Sequence, residues 1–133
     1  MKKQLSFLPF AIVIMFCGCA MMSNKQSESL IGKWSGSWQN DAEFMMYFKD
    51  DKTMEGSIKG SMDFEYSAKY SVDFTADPIT MDIFDFDNDQ MGDARWLGII
   101  KFIERDKLLM RGNISTQGGR PENFEYEAIE LTR

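Results

Sequence analysis

The sequence predicts an all-β domain whose antiparallel strands form a sandwich or a closed barrel. The main observation is strict alternation over residues 54–76, where every even position is apolar, aromatic, alanine or glycine and every odd position is polar or charged. Such alternation is typical of strands with one face toward the core and the other toward water. Similar segments, separated by turn residues, recur along the chain, and no segment has a convincing helical pattern.

The alternating run is too long to be a single strand. At about 3.3 Å per residue it would extend roughly 75 Å, far beyond a domain of this size. The run must therefore fold back on itself, and because the apolar positions keep their parity, an odd loop or a bulge is expected near residues 60–63. The other strands are predicted at residues 30–39, 43–49, 80–86, 95–104, 107–115 and 123–132. Eight strands is the number at which a barrel interior is filled by side chains or holds one small ligand.

The N-terminal segment has the layout of a secretory signal. Lys2 and Lys3 form a basic start, residues 5–16 are apolar, and small residues follow around Gly18. That order of charge, apolar run and small residues is the signal-peptide pattern. The apolar run is shorter than the roughly 20 residues of a membrane-spanning helix.

The end of this segment resembles the lipobox of bacterial lipoproteins, in which a cysteine is acylated and becomes the first residue. That cysteine would be Cys19, after a signal at residues 1–18. Residues 19–29 would then be a lipid anchor and flexible tether, and residues 30–133 the barrel domain. Residue 20 is not acidic, which by this resemblance favours the outer membrane over other parts of the cell envelope. The alternative is an ordinary signal cut near Cys19, which leaves a soluble secreted protein.

Cysteine usage and charge limit the partners of the mature chain. Both cysteines, Cys17 and Cys19, lie in the N-terminal segment, so the domain has no disulfide framework. The chain has 15 basic and 21 acidic residues and a net charge of −6. An acidic domain is a poor candidate for nucleic acid, whose phosphates attract lysine and arginine. The expected contact with a membrane is therefore through acyl chains on Cys19. The sequence does not indicate which protein, if any, the chain binds.

Catalysis is not expected, and no cofactor is indicated. The chain contains no histidine, the most common general base, and so no Ser-His-Asp or Cys-His arrangement. Glu125 and Glu127 lie on one face of the predicted last strand, and their parity places them in water. Arg120 is interpreted as a turn residue, or as a cap of the barrel end that pairs with Asp73 or Asp77.

Large apolar side chains at inward positions form the candidate ligand pocket. Small residues such as Gly56, Gly60 and Ala68 share the inward parity, so the interior is expected to leave a cavity for a lipid, quinone, haem-like or peptide ligand. The candidate pocket residues are Trp34, Trp38, Met46, Phe48, Ile58, Phe64, Tyr66, Tyr70, Phe74, Trp96, Phe102, Met110 and Phe124.

Two patterns could bind metal ions. The inward methionines Met46, Met54, Met62 and Met110 could bind copper(I), but methionine more often fills irregular apolar space. Alternate carboxylates in the segment 85–93 could bind calcium weakly, although Gln90 stands where an EF-hand loop needs glycine. The favoured interpretation of that segment is a solvated acidic loop. The carboxylates concerned are Asp85, Asp87, Asp89 and Asp93.

Six short segments form an ordered set that covers most of residues 31–132. They are Gly32-Lys33-Trp34, residues 70–78, residues 79–82, Gly98-Ile99-Ile100, residues 106–110 and residues 120–124. Together they resemble the small lipocalin-like domain of uncharacterised bacterial envelope proteins, in which the matching segments occur in the same order. The resemblance implies an eight-stranded antiparallel up-and-down barrel or a half-open sheet, and no established activity.

Two functions remain open from the sequence. The first is a lipid-anchored binding module whose barrel holds a small apolar ligand or lipid. The second is a filled barrel that acts as a protein–protein interaction module in the envelope. The state of the interior, hollow or filled, separates them.

Overall fold

The structure, a computed structural model, describes residues 29–38, 42–60 and 63–133. These residues form an all-β, closed antiparallel barrel in which each strand pairs with its neighbours in the chain and β8 returns to β1. The predicted eight-stranded up-and-down barrel is therefore confirmed, and the sandwich and the half-open sheet are excluded. The strands are β1 Gly32–Trp38, β2 Ala42–Phe48, β3 Thr53–Gly60, β4 Phe64–Asp73, β5 Ile79–Phe84, β6 Trp96–Glu104, β7 Lys107–Ile114 and β8 Ile129–Thr132.

The long alternating run folds back as its parity requires. It forms β3 and β4, and Ile58 lies opposite Phe64 in the register of that pair. Two even-numbered residues face each other, so both strands direct their even positions into the barrel. Within the described residues no helix is long and apolar enough to cross a membrane.

Two later strands, β5 and β8, direct odd-numbered positions inward, whereas β6 and β7 direct even-numbered positions inward. In the β4–β5 pair Tyr70 lies opposite Ile83, so β5 directs its odd positions, including the buried Met81, inward. In the β7–β8 pair Met110 lies opposite Ile129, so β8 also directs odd positions inward. The predicted last strand, residues 123–132, is wrong in its first part, because β8 begins only at Ile129. Glu127 has a φ of 55°, which interrupts an extended backbone just before β8.

One end of the barrel, here termed the packed end, is filled by side chains. It lies beside the connections 49–52, 74–78 and 105–106, and its core includes Trp34, Phe48 and Met54, all with 0% exposure. The Phe48 and Tyr70 rings meet edge to face with centroids 5.0 Å apart. The Tyr70 hydroxyl donates a hydrogen bond to the Lys49 carbonyl. This end therefore has both dense apolar packing and satisfied polar groups.

The first and last described segments are joined at the packed end. The Trp34 indole nitrogen donates to the Leu30 carbonyl at 2.8 Å. The Arg133 guanidinium lies 4.5 Å from the centre of the Trp34 ring. It also donates to the carbonyls of Ser29 at 2.6 Å and of Ile31 at 3.1 Å. A stacked, hydrogen-bonded arginine thus holds β1 to the end of β8.

Residues 115–128, here termed the outer strap, cross the outside of the barrel between β7 and β8. Arg120 donates to the carbonyls of Met81 and Gly98 at 3.2 and 2.8 Å and pairs with Asp82. The suggested pairing of Arg120 with Asp73 or Asp77 is therefore wrong. Ile99 faces outward by parity yet is only 1% exposed, which indicates that the strap covers this part of β6.

Candidate functional site

The other end of the barrel, here termed the cavity end, contains an apolar cavity of about 190 Å³. It lies beside the loop 85–95 and the start of the outer strap. Side chains from the seven strands β2 to β8 and from that loop line it, and none of them is charged. The lining residues are Phe44, Met46, Ile58, Phe64, Tyr66, Ile83, Phe86, Met91, Trp96, Met110, Ile114, Ile129 and Leu131.

Two aromatic side chains pack closely against glycines in the wall. The Tyr66 ring and hydroxyl occupy the position that a Cβ at Gly56 would take. The Trp96 indole does the same at both Gly98 and Gly112, which are paired across β6 and β7. The glycines therefore make room for rings that form part of the cavity wall.

The loop 85–95 is fixed over the cavity by hydrogen bonds to β4. The Asp87 carboxylate accepts from the Ser67 amide at 2.8 Å, and the Asp87 amide donates to the Ser67 carbonyl at 3.0 Å. The preceding Phe86 then packs on Tyr66, with ring centroids 5.5 Å apart. Met91, in the turn that follows, completes the lining. The loop acts as a cover whose position depends on backbone contacts.

Two polar atoms of the lining residues lack a hydrogen-bond partner among the described residues. They are the Tyr66 hydroxyl and the Trp96 indole nitrogen. Every fully buried side-chain nitrogen or oxygen in the described part of the chain has a partner, so these two atoms must reach accessible space. Burial raises the pKa of Tyr66 to about 12, which keeps its hydroxyl protonated. Two residues of the lining thus carry a neutral hydrogen-bond donor that no described residue engages.

The structure brings together only some of the predicted pocket residues. Met46, Ile58, Phe64, Tyr66, Trp96 and Met110 line the cavity. Trp34, Phe48 and Tyr70 are buried in the packed end, where Phe74 and Phe102 pack against them. Trp38 is 40% exposed at the end of β1, and Phe124 lies in the outer strap, beside a surface groove.

Other lining residues were missed by the sequence analysis because their parity or position differs from the expected one. Ile83, Ile129 and Leu131 follow the odd parity of β5 and β8, and Phe86 and Met91 lie in a loop rather than a strand. Phe44 and Ile114 have the expected inward parity but are not among the candidate pocket residues. Ala68, expected to leave space, is buried in the packed core. Tyr126, expected to face inward, is 68% exposed.

The carboxylates of the calcium hypothesis do not form a ligand cluster in the described residues. Within residues 29–38, 42–60 and 63–133, no three histidine, cysteine, aspartate or glutamate side chains converge on a cation position. Asp85 instead lies 3.3 Å from the Lys69 ammonium, and Asp87 is engaged by Ser67. Met46 and Met110 line the cavity and Met54 is in the packed core, whereas Met62 lies outside the described residues. Cys19 and the whole predicted signal also lie outside them.

Comparisons with protein-family models, with curated proteins and with solved structures found no match to this chain.

Proposed function

We propose that this chain is a lipid-anchored envelope lipoprotein whose lipocalin-like barrel binds one small apolar ligand in the cavity end. The observation that carries the proposal is the uncharged, largely aromatic and aliphatic lining of the 190 Å³ cavity. Binding sites for small molecules are concave and mostly apolar, with few polar groups that fix orientation. The N-terminal pattern at Cys19 supports the anchor, which would hold the binding domain in the cell envelope.

The volume of the cavity limits the size of the ligand that it can hold. An apolar cavity of about 150 Å³ in another protein binds benzene, and the present cavity is only somewhat larger at about 190 Å³. A haem-like group, a whole lipid or a folded peptide would not fit without a large rearrangement. A single-ring or short-chain molecule fits best.

Blocking the cavity tests this function. Met46 and Met45 are adjacent on β2, but Met46 lines the cavity whereas Met45 points outward and is 51% exposed. We expect Met46→Trp to weaken toluene binding at least about tenfold in isothermal titration calorimetry, because the indole would occupy ligand space. Met45→Trp should bind toluene like the unchanged chain.

The protein for this measurement is the full chain, kept in solution by a steroid-based detergent too large for the cavity. Thermal unfolding of both variants checks that each barrel is intact. Equal toluene affinity in both variants, or no binding by the unchanged chain, would contradict the proposal and favour the interaction module. Cys19→Ser tests the anchor separately: fractionation should then find the chain in the soluble fraction instead of the membrane.

A further inference from the structure

The residues that line the cavity have few polar side-chain groups. Two of them, the Tyr66 hydroxyl and the Trp96 indole N–H, can donate a hydrogen bond. The Tyr66 hydroxyl can also accept, whereas the Trp96 indole nitrogen can only donate. Neither has a partner within the described part of the chain, although Tyr66 packs between Phe64 and Phe86 at centroid distances of 5.7 and 5.5 Å. A donor enclosed by aromatic rings gains most from an acceptor supplied by a ligand, because water is largely excluded there.

The charge environment of the cavity excludes anionic ligands. No lysine or arginine is among the lining residues, and the chain has a net charge of −6. The arginines Arg120 and Arg133 are engaged elsewhere, on the outer face and at the packed end. A carboxylate in the cavity would lose its hydration with no cation to offset the loss.

We propose that the cavity selects a neutral apolar molecule with one carbonyl-type acceptor, such as a small aromatic ketone or ester, and rejects the corresponding carboxylate. The acceptor binds the Tyr66 hydroxyl or the Trp96 indole N–H, and the remainder of the ligand packs against the apolar wall. This inference rests on the proposed function, since it names the ligand class of the same cavity.

Three probes of nearly equal shape and size test the selection. Acetophenone has a carbonyl acceptor, α-methylstyrene replaces that oxygen by a methylene group, and benzoate carries a charge. Calorimetry on the full chain, in the same steroid-based detergent, measures each dissociation constant. Acetophenone and α-methylstyrene should bind, and benzoate should bind at least about tenfold more weakly than acetophenone.

Tyr66→Phe and Trp96→Phe then test the donors. Tyr66→Phe removes an unpartnered hydroxyl, so we expect the barrel to remain folded. The variant that removes the donor bound by the ligand should lower acetophenone affinity about fivefold relative to α-methylstyrene affinity, as expected for one lost hydrogen bond. The ratio of the two affinities separates the hydrogen bond from changes in cavity shape.

The outcomes distinguish this inference from the proposed function. If acetophenone and α-methylstyrene both bind but neither variant changes their affinity ratio, the selection for an acceptor is overturned and the apolar cavity function stands. Benzoate binding as tight as that of acetophenone also overturns the selection. If none of the three probes binds the unchanged chain, the proposed function itself fails.

Discussion

The indole of Trp96 lies across Gly98, two residues further along β6, and occupies the space that a side chain at Gly98 would need. The same indole covers Gly112 on β7, which pairs with Gly98. One aromatic side chain therefore fills the position of two missing ones. This packing fixes the ring as a wall of the cavity.

Gly98→Ala should destabilise the barrel by about 1–3 kcal/mol, because the new methyl group overlaps the Trp96 indole and forces it to move. The free energy of unfolding in urea measures the effect, and a red shift of the Trp fluorescence would report the displaced ring. Gly119→Ala is the matched control, since nothing lies within 4 Å of its added methyl group. An equal loss of stability in both variants would contradict the packing of Trp96 on Gly98.

The stacked arginine at the packed end gives a second prediction. Arg133→Ala removes the contact with the Trp34 ring and the hydrogen bonds to the carbonyls of Ser29 and Ile31. We expect a loss of about 1–3 kcal/mol in the free energy of unfolding. Arg133→Lys should recover only part of it, because an ammonium lacks the planar fork of donors. Arg105→Ala, at an exposed turn, should change stability by less than about 0.5 kcal/mol.

Two arginines that share Asp82 differ in what else they bind. Arg120 also donates hydrogen bonds to the carbonyls of Met81 and Gly98. Arg95 is more exposed, and it pairs with Asp82 at 3.2 Å. Its guanidinium lies over the Phe84 ring. Arg120→Ala should release the outer strap, with faster proteolysis within residues 115–128 and a loss of about 1–2 kcal/mol. Arg95→Ala should leave the strap protected and lower stability by less than about 1 kcal/mol. Equal protease sensitivity of the two variants would show that Arg120 does not hold the strap.

Stability at high pH should depend on Tyr66. Burial raises the pKa of Tyr66 to about 12 in the folded chain, above its ordinary value of 10.0. Below pH 10 the hydroxyl is protonated in both the folded and the unfolded chain, so the group does not change stability. Between pH 10 and 12 the unfolded chain loses this proton while the folded chain keeps it, so the free energy of unfolding falls by about 1.4 kcal/mol per pH unit.

Tyr66→Phe should remove this part of the alkaline loss. The measurement is the difference in unfolding free energy between the unchanged chain and the variant, from pH 8 to about pH 11. That difference isolates Tyr66 from Tyr70, whose pKa is also raised by burial. A difference that stays constant over this pH range would show that the Tyr66 hydroxyl is not buried.

The alternation of side chains was enough to predict most of the strands, because parity within a strand depends only on the local sequence, but it left a sandwich and a closed barrel both open. It also predicted the connection between β3 and β4, where Ile58 and Phe64 keep the same parity across the turn. The inward set of β1 to β4, including Met46 and Tyr66, follows directly from this rule.

Parity across longer connections could not be predicted, since the number of residues in a loop sets the register of the next strand. The connection between β4 and β5 brings Tyr70 opposite Ile83, which moved the inward face to odd positions. The even-numbered Phe124 and Tyr126 suggested a strand that continues to residue 132, but the backbone of Glu127 interrupts it. The strand β8 begins only at Ile129 and directs its odd-numbered positions inward. Rings lying on glycines, such as Tyr66 on Gly56, are tertiary contacts with no local sequence signal.

The hydrogen bond between Ser29 and Arg133 places both ends of the described chain at the packed end, opposite the cavity. A lipid anchor on Cys19, as proposed, would therefore attach on the side of the barrel away from the cavity and leave the cavity end clear of the tether.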